Sequence, residues 1–206
     1  DATHLKNWIN TLTTPSERTT FFNFTASHDG IGLRPVEKIL PDEAIAEMLQ
    51  HVEKRGGRVS YRSQNGNQSP YELNITYLDA MAIASEGDDL HVQSFLLSQA
   101  IMLALAGMPA VYIHSLLGTR NDIQYMQTTG HPRSINRSKL DANHIRGELA
   151  DHATLRAKIF RGYKHLISTR IQQAMFAPTS AQQALDTQNS SILALQRGEI
   201  PEHMLC

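Results

Sequence analysis

Along the first residues Leu5, Trp8 and Ile9 fall on one side of a helix, which the turn-forming run Thr13-Thr14-Pro15-Ser16 stops. The β-branched and aromatic stretch 19–24 reads as a strand that runs into Ser27-His28-Asp29-Gly30-Ile31-Gly32, where two glycines open backbone angles closed to other residues. A second helix opens at Pro41-Asp42-Glu43, with its acids at the positive end of the dipole, and closes at Gly56-Gly57 behind Lys54-Arg55. Residues 58–70 are polar and turn-rich (Ser63-Gln64-Asn65-Gly66-Asn67-Gln68), which predicts a long surface loop of the kind on which compact enzymes carry specificity.

The most apolar helix is expected over residues 90–106, behind Asp88-Asp89. Phe95, Leu96, Leu97, Ile101, Leu103 and Leu105 cover more than one of its faces and predict a largely enclosed helix. Residues 109–117, between Gly107 and Gly118, form a continuous apolar run, the pattern of a strand buried on both faces in a parallel sheet. Strand, helix and strand together make an α/β unit. Beyond a polar loop at 119–147, Leu155, Ile159, Tyr163, Leu166 and Ile167 recur at helical spacing, giving an amphipathic helix over 148–173 that covers its own fold and ends before Pro178. The tail at 190–198 reads as a strand and turn of a separate, β-rich module.

Composition narrows the function classes. The 206 residues are 41% hydrophobic and 19% charged, ordinary values for globular material. A formal charge of -1 without a dense Lys/Arg run argues against a nucleic-acid partner. The single cysteine, Cys206, leaves no disulfide framework and fits a reducing cytoplasm. The apolar stretch 95–106 is interrupted by Ser98 and Gln99 and is too short to span a bilayer, and the first residues lack a signal-peptide layout, so a cytoplasmic protein with no membrane partner is expected. His114 and His131 lack ligand spacing with Cys, Asp or Glu, so no metal is expected.

The segment Phe21-Phe22-Asn23-Phe24-Thr25-Ala26-Ser27-His28-Asp29 resembles the last conserved catalytic segment of the α-amylase superfamily, and the Gly30-Ile31-Gly32 after it resembles the sucrose phosphorylase branch. Three more stretches are similar to that branch in the same order. They are 69–77 (Ser-Pro-Tyr-Glu-Leu-Asn-Ile-Thr-Tyr), 107–113 with Gly118-Thr119-Arg120-Asn121-Asp122, and Arg133-Ser134-Ile135-Asn136-Arg137. The resemblance implies an α/β fold in which residues 1–178 are the last part of a (β/α)8 TIM barrel, strands seven and eight with their helices, and residues 179–206 begin a C-terminal β-domain. A complete barrel takes about 250 residues. The chain is therefore expected to be a C-terminal fragment, and the family's nucleophilic aspartate and acid/base glutamate, which lie on earlier strands, have no counterpart in it.

The activity so implied is retaining transfer of a glucosyl group between an α-glucoside (sucrose, glucosylglycerate or sucrose phosphate) and inorganic phosphate, giving glucose 1-phosphate through an oxocarbenium-like transition state and a covalent glycosyl-enzyme. The resemblance makes Asp29 the transition-state-stabilising carboxylate, with His28 donating to the same ring and Arg133 holding a distal hydroxyl. Tyr71 and Glu72 fall on the loop lining the acceptor and phosphate subsites. On the residues alone, His28-Asp29 also reads as a turn cap, Arg133 as a surface ion pair and Tyr71 as packing. Glu72 stands where sucrose phosphorylase has glutamine, and Ser134 where the family commonly has aspartate. A carboxylate at 72 changes what the acceptor site tolerates and points away from fructose. No cofactor is implied beyond phosphate as co-substrate. The alternatives are a hydrolase or transglucosylase of the same superfamily, or a non-catalytic sugar-binding fragment. Without the two missing carboxylates the chain alone is expected to be inactive, and unpaired strand edges are expected to drive self-association.

Overall fold

The computed structural model describes residues 1–64, 66–82 and 87–199; Asn65 and Cys206 lie outside the described residues. In chain order the elements begin with α1 (Thr3–Thr11), β1 (Phe22–Asn23), β2 (Ile31–Gly32), α2 (Asp42–Lys54), β3 (Arg58–Gln64), β4 (Asn67–Asn74) and α3 (Tyr77–Ala80). They continue with α4 (Asp88–Ala104), β5 (Met108–Pro109), α5 (Ile113–Leu116), α6 (Ile123–Thr129), α7 (Ala142–Ala150), α8 (Leu155–Gln172), β6 (Gln182–Leu185) and β7 (Ala194–Arg197). The mixed α/β chain divides into two compact units.

One unit comprises Asp1–Asn23, Ala100–Ala110 and the chain from Leu166 onward. Its strands β1 and β5 pair in parallel, Phe22 opposite Met108. The Asn23 amide donates to the Ala106 carbonyl (2.9 Å) beside Gly107, whose φ of 125° a side chain would strain. The antiparallel hairpin β6-β7 packs Ala184 with Ile9 of α1 and Leu105, and Asn10 exchanges two hydrogen bonds with the Ala184 backbone. The expected strand and turn at the tail are therefore present.

The other unit comprises Phe24–Gln99 and Val111–His165. Its three-stranded antiparallel sheet, in the order β2-β4-β3, buries Leu33, Leu73 and Ile75 against Val52 of α2. Helix α2 starts behind Pro41 with Asp42 and Glu43 in its first turn, and Gly56 takes the left-handed conformation after its end, as the caps predict. Phe95 of α4 is fully buried between Tyr77 and Tyr163, ring centroids 6.1 and 6.0 Å away. Below it Tyr163 Oη (2.5 Å) and Thr25 Oγ1 (3.0 Å) both donate to the Gln99 side-chain oxygen, satisfying a fully buried amide.

Several expectations are corrected. Residues 58–70 are not a loop: β3 and β4 form a long hairpin whose register, Gln64 opposite Asn67, leaves a two-residue connection with Gly66 at φ 81°. The Asn65-Gly66 pair is a strong hairpin signal, outweighed in the sequence by the polarity of a sheet with one face in water. The apolar run 109–117 is not a doubly buried strand, because β5 ends at Pro109 and Ile113–Leu116 is a helical turn tied by a hydrogen bond between His114 and Thr119. A short apolar run does not by itself distinguish strand from buried helix. Helix α4 is less enclosed than its composition suggests, with Leu90 and Leu97 exposed. The helix expected over 148–173 is two, since Thr154 accepts from the Ala157 N–H and donates to the Glu148 carbonyl, capping α8 where α7 has ended. The loop 119–147 holds α6, α7 and a 3-10 turn at Pro132–Asn136. Among the described residues no helix is long and apolar enough to cross a membrane.

Candidate active site

The His-Asp segment is a tight turn in which the Ser27 and Gly30 backbones exchange hydrogen bonds of 3.2 and 3.1 Å, while the Asp29 N–H donates to Ser27 Oγ (3.1 Å). Gly30 sits at φ 121°, and a Cβ there would run into the Leu73 carbonyl of β4, so only glycine lets the turn lie this close to the sheet. The Asn74 amide of β4 donates to the Asp29 carbonyl (3.2 Å). The turn is thus held from behind by the strand.

Strand β4 also supplies Glu72, whose side chain is 8% exposed. A buried carboxylate needs close partners, and Arg133 provides a bidentate grip through Nε to Oε1 (3.0 Å) and a terminal nitrogen to Oε2 (2.7 Å). Asn74 Nδ2 adds a 2.5 Å bond to Oε1 and is itself oriented by Ser60 Oγ. The remaining terminal nitrogen of Arg133 lies 2.9 Å from Asp29 Oδ1, so one guanidinium bridges two carboxylates. The hydrogen bond to Glu72 is the main reason that Arg133 is held above its ordinary pKa, with desolvation opposing and the charges of Glu72 and Asp29 adding. It stays charged under all working conditions.

Arg133 rides on the 3-10 turn at Pro132–Asn136, whose Ile135 is fully buried and whose Ile135 carbonyl accepts from the Asp122 N–H (2.8 Å). With its amide oriented to suit its neighbours, Asn136 donates to the His28 (2.9 Å) and Arg133 (3.2 Å) carbonyls and accepts from the Gly30 N–H (3.1 Å). Its own carbonyl accepts from Tyr112 Oη (2.9 Å). The Tyr112 hydroxyl is pushed up in pKa by burial first, with Arg137 lowering it and Asp29 raising it, so it remains a proton donor. Ser134, in the place of an acid, accepts from Thr129 Oγ1 (2.7 Å) and folds back on α6.

Four of the five residues singled out from sequence are therefore linked in one cluster. Asp29, Arg133 and Glu72 form a chain of contacts, and His28 Nε2 stands 3.4 Å from Asp29 Oδ1 with its side chain mostly in solvent. Tyr71 is the extra residue at a β-bulge, Ser60 and Tyr61 pairing with Glu72 and Pro70 on either side of it, and it lies within electrostatic reach of Arg133. Arg137, Asn136, Asn74 and Tyr112 were not singled out, although each lies inside a stretch that carries the resemblance. Arg137 donates to both the His28 carbonyl (2.6 Å) and Asp29 Oδ1 (3.0 Å). Beneath the turn a cavity of about 10 Å³ between Ser27, Thr76, Tyr112, His114 and Asn136 is near the minimum for a single water. His114 is lowered in pKa by burial and then by Arg156, which keeps its ring neutral. Chemically the cluster holds two carboxylates, Asp29 and Glu72, joined by Arg133 and flanked by hydrogen-bond donors, an arrangement suited to gripping a polyhydroxylated ligand.

No protein-family model matches the sequence. The chain is 40% identical over its whole length to the glucosylglycerate phosphorylase of Spirochaeta thermophila, covering 35% of that protein. It is 40% identical over 92% of its length to the glucosylglycerate phosphorylase of Escherichia coli, covering 34% of it. Against the sucrose phosphorylase of Streptococcus mutans it is 27% identical over 85% of its length. Among solved structures, sucrose 6F-phosphate phosphorylase from Thermoanaerobacter thermosaccharolyticum matches 92% of the chain with a TM-score of 0.73 at 20% identity, a likeness of fold that covers 36% of that chain. The chain spans about a third of the length of these relatives. Its motifs and its identity across its full length place it together with them, and it belongs to the sucrose phosphorylase-like branch of the α-amylase superfamily.

Proposed function

We propose that the chain is the C-terminal part of a longer retaining glycoside phosphorylase and supplies the Asp29 side of its glucosyl site. In this reading the full protein moves a glucosyl group between glucosylglycerate and inorganic phosphate, with glucose 1-phosphate as a product. The observation that carries it is the Asp29 carboxylate, held by Arg133 and Arg137 on Oδ1 with its side chain 38% exposed. The 40%-identical glucosylglycerate phosphorylases favour that acceptor, and a buried carboxylate at Glu72 agrees with an acceptor other than fructose.

Such a carboxylate serves the reaction in two ways. It accepts hydrogen bonds from sugar hydroxyls and orients the ring, and its negative charge favours the positive charge that develops at the anomeric carbon. His28, Arg133, Tyr71 and Glu72 shape the pocket around it. The nucleophile and the acid/base come from segments outside this chain, so residues 1–206 alone do not turn over. In the same reading β1 and β5 are strands seven and eight of the barrel within residues 1–178, and residues 179–206 begin the β-domain. The protein works in the cytoplasm on small molecules, with phosphate as co-substrate and no other cofactor, and the isolated chain self-associates through its barrel edges.

The test is glucose 1-phosphate release by the full-length protein from glucosylglycerate, sucrose and sucrose phosphate, with and without phosphate. Release that requires phosphate and is fastest with glucosylglycerate is expected. Turnover indifferent to phosphate would assign a hydrolase or transglucosylase instead, and turnover by residues 1–206 alone would refute the missing-carboxylate argument.

A further inference from the structure

We propose that Arg137 is a positioning residue for Asp29, turning the carboxylate so that Oδ2 meets the ligand. This rests on the reading of Asp29 as the carboxylate that grips the sugar. Arg137 holds the His-Asp turn at two points, through Nε to the His28 carbonyl (2.6 Å) and through a terminal nitrogen to Asp29 Oδ1 (3.0 Å). A planar fork that spans a backbone oxygen and the next residue's side chain fixes the carboxylate relative to its own backbone; an ammonium, a compact charge on a flexible stem, has no rigid fork to set that spacing. The anchor of the fork is rigid, because Arg137 directly follows the 3-10 turn that buries Ile135 and Asn136.

The nearest contacts of three neighbouring side chains fall on the same oxygen. Arg133 reaches Asp29 Oδ1 at 2.9 Å, Arg137 at 3.0 Å and His28 at 3.4 Å, while no hydrogen bond reaches Oδ2 among the described residues. The side chain is 38% exposed, so the carboxylate is within reach of a ligand. An ionised carboxylate is purely an acceptor, and an oxygen left without donors is the one able to take a hydroxyl of a glucosyl ring. Were the guanidinium groups shared between both oxygens, they would cover the ligand-facing edge. Collected on Oδ1, they stabilise the anion from behind.

The full-length protein tests this with glucosylglycerate and phosphate. Arg137→Lys keeps the charge and loses the two-point grip; kcat should fall by about 30-fold, in the range that small misplacements cost, while KM changes by less than about threefold. Arg137→Ala should fall further and be partly restored by low concentrations of guanidinium ion but not by ammonium. Asp29→Asn, made in parallel, should be close to inactive. Arg137→Lys at wild-type kcat beside an inactive Asp29→Asn overturns the proposal and leaves the reading of Asp29 standing. An active Asp29→Asn overturns that reading and the proposal with it. A loss in Arg137→Lys that follows its folded fraction by circular dichroism, with no guanidinium rescue of Arg137→Ala, assigns Arg137 to structure alone and also overturns the proposal.

Discussion

In the β2-β4-β3 sheet Leu73 is 2% exposed and Ile75, just beyond it, is fully buried, whereas in the β1-β5 pair Phe22 is 66% exposed and Met108 52%. Both regions are strand-forming sequence, and they differ in how far along the chain their partners lie. The β3-β4 hairpin closes through a two-residue turn and is backed by α2, which directly precedes β3, so its main pairing is local, and β2 adds to its edge from earlier in the chain. A parallel pair needs a crossover between its strands, and it is buried only when more strands and helices cover both faces. Here two residues from each strand pair. Because Glu72 and Asn74 belong to the hairpin strand β4, the charged network around Asp29 is organised by elements of one compact unit.

The largest test of this contrast is a pair of truncations. Leu73→Ala should cost about 2–5 kcal/mol, the range for emptying a packed core position, while Phe22→Ala should stay within about 0.5 kcal/mol. Urea unfolding of the two variants measures the gap, and equal losses would break the comparison. A smaller effect is expected for Gly30→Ala, at about 1–3 kcal/mol from positive-φ strain and the approach to Leu73, with the turn pushed off β4. Its signature is a kcat loss larger than the stability change explains. The smallest effect is a pH dependence. Burial lowers the pKa of His114, so the unfolded chain binds the proton more readily, and stability should fall as pH drops below the unperturbed value of about 6.5. Melting temperatures between neutral and mildly acidic pH should show that slope, and His114→Asn should flatten it.

Local signals proved legible in the sequence. The Pro41-Asp42-Glu43 start and Gly56-Gly57 stop of α2 act within one turn of helix, and the structure keeps both. The break between α7 and α8 was just as local, in the Thr154 cap, but the periodic leucines and isoleucines masked it. For the site, the motifs brought out His28, Asp29, Arg133 and Glu72. They did not reveal that Arg133 would join the two carboxylates, or that Arg137 and Asn136 would hold the turn.

What the sequence determined by itself is chemistry at fixed positions: a carboxylate in a glycine-flanked turn, an arginine motif, a carboxylate on β4, and caps that start and stop helices. These follow from short-range sterics and backbone hydrogen bonding, which act between residues a few positions apart. Only the tertiary structure decided that Arg133, Arg137 and His28 would gather on Oδ1 of Asp29. That outcome depends on the His-Asp turn, strand β4 and the 3-10 turn at Pro132–Asn136 meeting within hydrogen-bond distance, and separations of about 3 Å between segments remote in the chain are set by core packing and not by any local pattern.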